Sequence, residues 1–397
     1  MKSSKLSSIL LGCFLLLSLS ASAEETIVKL IPPVINADTI GIKYACMRPK
    51  RENGINISAK KIERNKIVIN CYGHGGAGWT TLFGSIQKAI QLFEEEKISK
   101  ETPIRIVGSG CIGLCMATEL SHSGYNVSGI YTKSLYDPVS WRSAGFFGLL
   151  AVADVQEVIP LAKESFIVYQ QISQGKHPYL ARDAVRYLPI YCTQETEGEL
   201  AFLVQLGLVP PKQQVTLAFE GGATHSGYYQ YMTFFMNTGI LMQNFLSEIH
   251  KKNIPIEIKT IHSFSEIQEQ VIVNCTGFGA GELNQDTNLN AVRGHLIALN
   301  DLSGPGHLDY MILTSVLQDQ EAQPLYMTPK CLIVTPDHPE GIHSLGVIGV
   351  TFIPHAEKLS AEQLQELDQN AYQKLLERAS LFFFQKPYKS PSPKEAG

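Results

Sequence analysis

The sequence predicts an α/β fold made of two joined domains. Its 397 residues exceed what one small core requires. Two buried-strand patterns, at residues 66–70 and 104–107, are each followed by a glycine-rich turn and a helical pattern. The alternation of strand and helix predicts a sheet of largely parallel strands. Further strand candidates between residues 255 and 352 indicate a second domain.

The N-terminus has the pattern of a secretory signal over residues 1–23. Lys2 and Lys5 precede an apolar run at 8–19, and the small residues 21–23 fit a cleavage site after Ala23. The run is too short for a stable membrane span. A lipoprotein signal at Cys13 is disfavoured because the apolar run continues past it. We therefore expect export to a periplasmic or extracellular location, and an N-terminal extension over residues 24–41.

Composition narrows the classes of partner. The formal net charge is −4 and no large basic block is present, which argues against nucleic acid. Removal of the signal would leave seven cysteines with no metal-pair spacing. Cys111 and Cys115 lie on the first turns of a predicted helix, so small buried side chains are expected there rather than a zinc site.

A dinucleotide-binding loop is predicted after the strand at 104–107, where Gly108, Gly110 and Gly113 follow the strand and open a helix. These glycines allow a tight turn, close approach of a pyrophosphate, and close packing of helix on strand. Ser109, Cys111 and Ile112 complete the loop. The acid that usually binds the adenosine ribose at the end of the next strand is replaced by Tyr131-Thr132-Lys133. Lys133 leaves open a 2′-phosphate and hence NADP.

Several segments together resemble the family of D-amino-acid and D-aspartate oxidases. Residues 271–281 (VIVNCTGFGAG) and 293–297 (RGHLI) resemble two consecutive strands of that family. Residues 48–51 (RPKR) resemble its substrate-arginine strand, and 72–80 (YGHGGAGWT) its flavin-binding signature. In that family the last two segments come at the end, whereas here they come first. We interpret this as a circular permutation, which requires Ile42 and Phe383 to lie close in space.

The resemblance implies a Rossmann-like FAD-binding domain and an α+β substrate domain built on a mixed, largely antiparallel sheet. The FAD-binding domain would comprise residues 64–150 and 255–285. The substrate domain would comprise residues 151–254, 42–63 and 286–385. The tail, residues 386–397, is rich in Pro, Ser and Lys and is predicted to be disordered.

The resemblance also implies the site. Arg48 would clamp the substrate carboxylate with its planar fork of donors, and the Gly76 carbonyl would face the substrate amine. Tyr231, and as second choice Tyr229, would cover the substrate. No metal is expected. FAD would be bound by the loop residues named above and by a further set: His74, Gly75, Gly76, Gly78, Thr80, Ser140, Ser143, Gly145, Ile261, Thr276 and Gly277. His74 is expected to act through backbone contacts rather than in proton transfer.

The expected activity is FAD-dependent oxidation of D-amino acids to 2-oxo acids, ammonia and hydrogen peroxide. The same scaffold also fits a glycine or N-methyl amino-acid oxidase. Because the ribose position is altered and Trp141 and Arg142 interrupt a loop of small hydroxyl residues, a catalytically inactive flavin-fold binding protein is a further alternative. A small-molecule amino acid is the expected partner, and the sequence allows a homodimer.

Overall fold

The computed structural model describes residues 26–148, 155–300 and 308–388. Its strands, in chain order, are β1 Thr26–Leu30, β2 Ile40–Arg51, β3 Asn56–Ile62, β4 Lys66–Tyr72, β5 Ile104–Val107, β6 Val127–Thr132, β7 Val185–Cys192, β8 Gln213–Phe219, β9 Thr224–Met236, β10 Ile256–Ile258, β11 Val271–Asn274, β12 Leu289–Leu299, β13 Met311–Gln318, β14 Glu321–Pro329, β15 Leu332–Thr335, β16 His338–His343 and β17 Gly346–Gly349. The α-helices are α1 Leu82–Glu95, α2 Cys111–His122, α3 Val139–Arg142, α4 Val155–Ser173, α5 Gly198–Gln205, α6 Thr238–Lys251, α7 Ala280–Asn284 and α8 Ala361–Phe384.

A six-stranded sheet in the order β10-β6-β5-β11-β4-β3 forms the nucleotide-binding domain. All neighbours are parallel except β3 and β4. β5 and β11 are buried throughout, because the sheet is covered on both faces. The predicted Rossmann-like sheet is confirmed. Strand β4, which precedes β5 in the chain, lies inside this sheet beside β11.

A nine-stranded sheet in the order β1-β8-β9-β7-β13-β14-β17-β12-β2 forms the second domain. Six of its eight pairings are antiparallel, and only β1–β8 and β7–β13 are parallel. This is the mixed, largely antiparallel sheet that was expected. β15 and β16 form a separate hairpin.

Two of the predicted boundaries need correction. β3 was assigned to the substrate domain (42–63), but it pairs with β4 along its whole length and belongs to the nucleotide-binding sheet. Residues 24–41 were expected to be an N-terminal extension, but β1 joins the edge of the nine-stranded sheet parallel to β8 and so belongs to the second domain. Val28 and Leu30 pack on the core cluster while Ile27 and Lys29 are exposed, as expected for an edge strand with one buried face. The predicted signal over residues 1–23 and most of the predicted disordered tail (389–397) lie outside the described residues.

The two ends of the described chain meet on the second domain. Ile40, at the start of β2, packs on the same cluster of Ile297, Leu375 and Leu376 as Tyr388 does. Val28 and Ile35 pack on the cluster that contains Phe383. The proximity that a circular permutation requires is therefore present.

The helices pack with their apolar faces on the sheets. α1 buries Leu82, Ile86 and Phe93, and α2 is buried on most of its surface. α8 begins with a capping box of Ser360 and Gln363, in which two unpaired backbone N–H groups are satisfied reciprocally. Within the described residues, no helix is both long and apolar enough to cross a membrane.

Candidate active site

A cleft of about 680 Å³ lies where the two domains meet, within the range of small-molecule sites. The ends of β4, β5, β6 and β11 form one side, and β2, β12 and β14 with the segment after β17 form the other. Most of the predicted site residues line it: Arg48, His74, Gly75, Gly76, Gly78, Gly108, Ser109, Gly110, Cys111, Ile112, Ser140, Ser143, Ile261, Thr276 and Gly277.

The turn from β5 into α2 has the conformation that the glycines predicted. Gly108 has φ of +108°, and a side chain there would reach to 2.4 Å from the Cys275 carbonyl. Gly113 does not line the cleft. A Cβ on it would lie 1.9 Å from the Gly108 carbonyl oxygen, so glycine lets the helix approach the strand.

The start of α2 can receive a diphosphate. The N–H groups of Ser109 and Gly110 donate to no described residue. The Cys111 N–H donates to Ser140 Oγ at 2.9 Å, which places the Ser140 side chain in the lining beside these N–H groups. Unpaired N–H groups and the positive end of the helix dipole favour anionic phosphate oxygens at this position.

Beyond this turn, the cleft reaches the altered ribose position. Thr132 is tied to the loop by its hydroxyl, which lies 2.7 Å from Ser109 Oγ. Lys133 and Lys259 are both exposed and line the cleft. Lys259 Nζ lies 4.6 Å from the centre of the Tyr131 ring. This end of the cleft thus offers the ammonium groups of Lys133 and Lys259 where an acid was expected.

The turn after β4 joins the phosphate end to the opposite wall. Gly75 has φ of +58°, and its N–H donates to the Pro49 carbonyl at 2.8 Å, so the turn is fixed to β2. Gly76 is exposed in the cleft. His74 is buried with Nε2 3.2 Å from Ser85 Oγ, and burial lowers the pKa of His74 to about 4. The imidazole is therefore neutral near pH 7 and is held inside the protein.

The turn from β5 into α2 (residues 108–110) is the phosphate turn of the cleft. Arg48 lies on the opposite wall. Its Nη1 donates to the Thr351 carbonyl at 3.2 Å, and its guanidinium lies 4.9 Å from the centre of the Phe352 ring. Gly294 makes room for it, since a Cβ there would be 2.1 Å from Arg48 Nη2. The remaining N–H groups are free to bind an anion in the cleft.

Tyr326 on β14 is a lining residue that sequence reasoning missed. Its hydroxyl has no hydrogen-bond partner among the described residues, and burial raises its pKa although Arg48 opposes the shift. The hydroxyl therefore stays protonated and can donate. A tyrosine followed by Met-Thr-Pro at the end of a strand has no distinctive spacing, so no local pattern indicated its role.

The placement of Tyr231 and Tyr229 needs correction, because neither is among the residues that line the cleft. The Tyr231 hydroxyl donates to Glu197 Oε2 at 2.5 Å. Lys212 Nζ lies 3.5 Å from the centre of the Tyr229 ring. Both tyrosines are engaged within the substrate domain, and alternation along β9 could not show which face meets the cleft.

Thr80 and Gly145 are likewise absent from the lining. The Thr80 hydroxyl donates to the Gly148 carbonyl at 2.6 Å. The Gly145 carbonyl accepts from the Met236 N–H at 2.8 Å, and a Cβ on Gly145 would lie 2.3 Å from the Met236 carbonyl. Their places are set by packing behind the wall of the cleft.

The insertion of Trp141 and Arg142 is accommodated without filling the cleft. Trp141 is fully buried and donates to the Leu135 carbonyl at 2.9 Å, while Arg142 pairs with Asp137. Lys330 is buried beneath this loop, and its ammonium donates to the carbonyls of Trp141 (2.9 Å) and Ser143 (3.0 Å). Its third bond is to Thr238 Oγ1 at 2.7 Å. Ser140 and Ser143 are thereby held in the lining.

Comparison with known proteins identifies the family. The sequence profile of the FAD-dependent oxidoreductase (DAO) family matches residues 104–391. The chain is 43% identical over 47 residues to a D-aspartate oxidase of Cryptococcus neoformans, and the match covers 12% of each chain. Glycine oxidase from Geobacillus kaustophilus aligns over 72% of this chain and 80% of its own, with 15% identity and a TM-score of 0.46. Iminodiacetate oxidase from Chelativorans sp. BNC1 aligns over 70% and 78%, with 13% identity and a TM-score of 0.43.

The protein belongs to the family of FAD-dependent oxidoreductases, because the family profile covers more than half of the chain. FAD is the cofactor of this family, and the cleft fits it. The donors at the start of α2 suit a diphosphate, and the exposed backbone of Gly76 leaves room for a flat ring beside the turn. The profile begins at β5, so the Arg48 and Gly75–Gly78 segments precede the matched region.

Proposed function

We propose that the protein oxidises D-amino acids to 2-oxo acids, with release of ammonia and formation of hydrogen peroxide from oxygen. The observation that carries the proposal is that one cleft connects a diphosphate site at α2 with the free donors of Arg48 and Tyr326. Bound FAD would supply the acceptor for a hydride from the α-carbon. Water then releases ammonia, so that one amino acid, one oxygen and one water give one 2-oxo acid, one ammonia and one hydrogen peroxide.

The substrate carboxylate would bind Arg48. A guanidinium offers two parallel hydrogen bonds to a carboxylate, and the Arg48 Nη2 side is not occupied by a described acceptor. The protonated Tyr326 hydroxyl supplies a further donor in the same wall. These contacts would hold the α-carbon in a fixed orientation towards the phosphate-turn side of the cleft, which is what such a reaction requires of the protein.

The substrate side chain would be apolar or neutral. Leu296, Val350 and Phe352 line the cleft around Arg48. Arg293 on the neighbouring strand is paired with Asp368 and does not line the cleft. Among the described residues, a second carboxylate would therefore meet no free cation at this wall, and burying an unpaired charge is costly.

Two further proposals concern the whole chain. We propose that residues 1–23 direct export, which N-terminal sequencing of the exported protein would check by finding Glu24 first. We also propose that the chain is a circular permutant of its family. A relinked variant that joins residue 388 to residue 26 and opens between α1 and β5 should then fold and retain the cleft.

The activity is tested by anaerobic addition of D-alanine, L-alanine, D-aspartate, glycine and N-methylglycine to the purified flavoprotein. The proposal predicts that D-alanine bleaches the visible flavin band fastest and that L-alanine does not bleach it. Bleaching by glycine or N-methylglycine alone would replace the substrate class. A flavin spectrum that no amine changes would indicate a binding protein.

A further inference from the structure

The Arg48 side chain has a single hydrogen-bond partner among the described residues, the backbone of Thr351. The bond runs from Nη1 to the Thr351 carbonyl. Thr351 lies two residues after the end of β17, between Val350 and Phe352, which both line the cleft. Since side chains alternate along an extended segment, the Thr351 side chain turns away from the cleft.

The Thr351 hydroxyl is bound to His295 on β12. The hydroxyl accepts from the backbone N–H of His295 at 3.2 Å and lies 2.6 Å from Nδ1 of the His295 imidazole. His295 is fully buried. Two contacts to one residue fix both the position and the rotation of the hydroxyl, and with it the backbone that holds Arg48.

His295 is anchored to α8. Its Nε2 lies 2.8 Å from Asp368 Oδ1, and Asp368 also accepts from Arg293 Nε at 2.7 Å. A carboxylate partner places the proton of a neutral imidazole on Nε2, so Nδ1 is left to accept from the Thr351 hydroxyl. The side chains of Thr351, His295 and Asp368 thus form a relay in which every polar side-chain atom has a hydrogen-bond partner.

We propose that Thr351 and His295, anchored by Asp368, are positioning residues that hold the Arg48 guanidinium in the orientation that receives a carboxylate. This inference rests on the proposed role of Arg48. The relay ends at a backbone carbonyl, so it acts on where Arg48 lies and not on its charge. None of the three residues lines the cleft, and each would act through Arg48.

The test is Thr351→Val, which keeps the shape of the side chain and removes the hydroxyl. We expect KM for D-alanine and the Kd of pyruvate, measured by the change in flavin absorption, to rise about 5- to 10-fold, in line with the loss of the two part-buried hydrogen bonds that the hydroxyl makes to His295. We expect kcat to change less than about twofold and FAD binding to be unchanged, because positioning affects substrate binding. Thr351→Ser should restore KM and Kd.

Thr314→Val is the matched control. Thr314 is buried where Thr351 is half-buried, and the Thr314 hydroxyl lies 2.7 Å from the Tyr228 hydroxyl, away from the cleft. It should lower stability as Thr351→Val does but leave the Kd of pyruvate unchanged. Wild-type KM and Kd in Thr351→Val, or equal changes in both valine variants, would overturn the positioning role. If Arg48→Ala also binds pyruvate with the wild-type Kd, the clamp itself is wrong and both proposals fail.

Discussion

Replacement of Arg48 by alanine should remove substrate binding while the flavin stays bound. Arg48 lies at the wall opposite the phosphate turn and contacts Thr351 and Phe352, so its loss leaves the α2 diphosphate site intact. A charge-assisted, two-bond contact with a carboxylate in a half-buried site is worth about 3 kcal/mol. That value corresponds to a loss of about 150-fold in kcat/KM.

Arg48→Lys distinguishes charge from geometry. A lysine keeps the positive charge but cannot form two parallel hydrogen bonds, so we expect a loss of about 10- to 30-fold, between wild type and alanine. Arg186→Ala serves as the control, because Arg186 pairs with Asp309 away from the cleft. It should leave kcat/KM unchanged.

The assay is initial oxygen consumption against D-alanine concentration, with FAD content checked by absorbance for each variant. If Arg48 binds the substrate carboxylate, Arg48→Ala should raise KM far more than it lowers kcat. An unchanged kcat/KM in Arg48→Ala with full FAD content would show that the carboxylate does not bind at this wall, since no other cation lines it among the described residues.

Three further changes test the surroundings. Lys330→Met leaves the Trp141 and Ser143 carbonyls without their buried donor. Chemical denaturation should therefore show a free energy of unfolding lower by about 2–4 kcal/mol, and titration with FAD should show weaker binding. Unchanged values for both would show that Lys330 does not hold the loop. Gly110 has an ordinary φ of −69°, so Gly110→Ala should fold normally. The added methyl group would enter the diphosphate site and raise the Kd of FAD by at least about tenfold. A wild-type Kd would show that the diphosphate binds elsewhere. Burial lowers the pKa of His74 to about 4, whereas the pKa in the unfolded chain is near the usual 6.5. Between these two pH values the unfolded state binds more protons than the folded state. The free energy of unfolding therefore falls on acidification from pH 6.5 to 4, by up to about 3 kcal/mol. Urea unfolding of His74→Asn should show a weaker dependence in this pH window, and an unchanged dependence would assign it to other groups.

The nucleotide-binding sheet could be predicted because its signals are local. Apolar residues dominate the strands at 66–70 and 104–107, with Lys66, Asn70 and Arg105 as the polar exceptions. Both strands lead into glycines whose backbone angles no other residue adopts easily. Gly108 and Gly113 therefore revealed both the turn and the packing of α2. β1 was missed because a five-residue edge strand gains its stability from its partner β8, which lies far away in the sequence.

The substrate wall was harder to predict because it is assembled from distant segments. Arg48, Tyr326 and Phe352 come from three separate parts of the chain, and only the register of β2, β12, β17 and β14 brings them together. Tyr229 and Tyr231 stand in an aromatic strand, but their partners Lys212 and Glu197 come from other elements. Local periodicity contains no information about either arrangement.

A crystal structure of the FAD-bound protein with pyruvate would show directly whether the cleft is an amino-acid oxidase site. We expect the diphosphate at the N-terminus of α2, the flavin ring along Gly75 to Gly78, and the pyruvate carboxylate bound to Arg48 and the Tyr326 hydroxyl. A flavin ring at the Lys133 end of the cleft, or pyruvate bound away from Arg48, would contradict it.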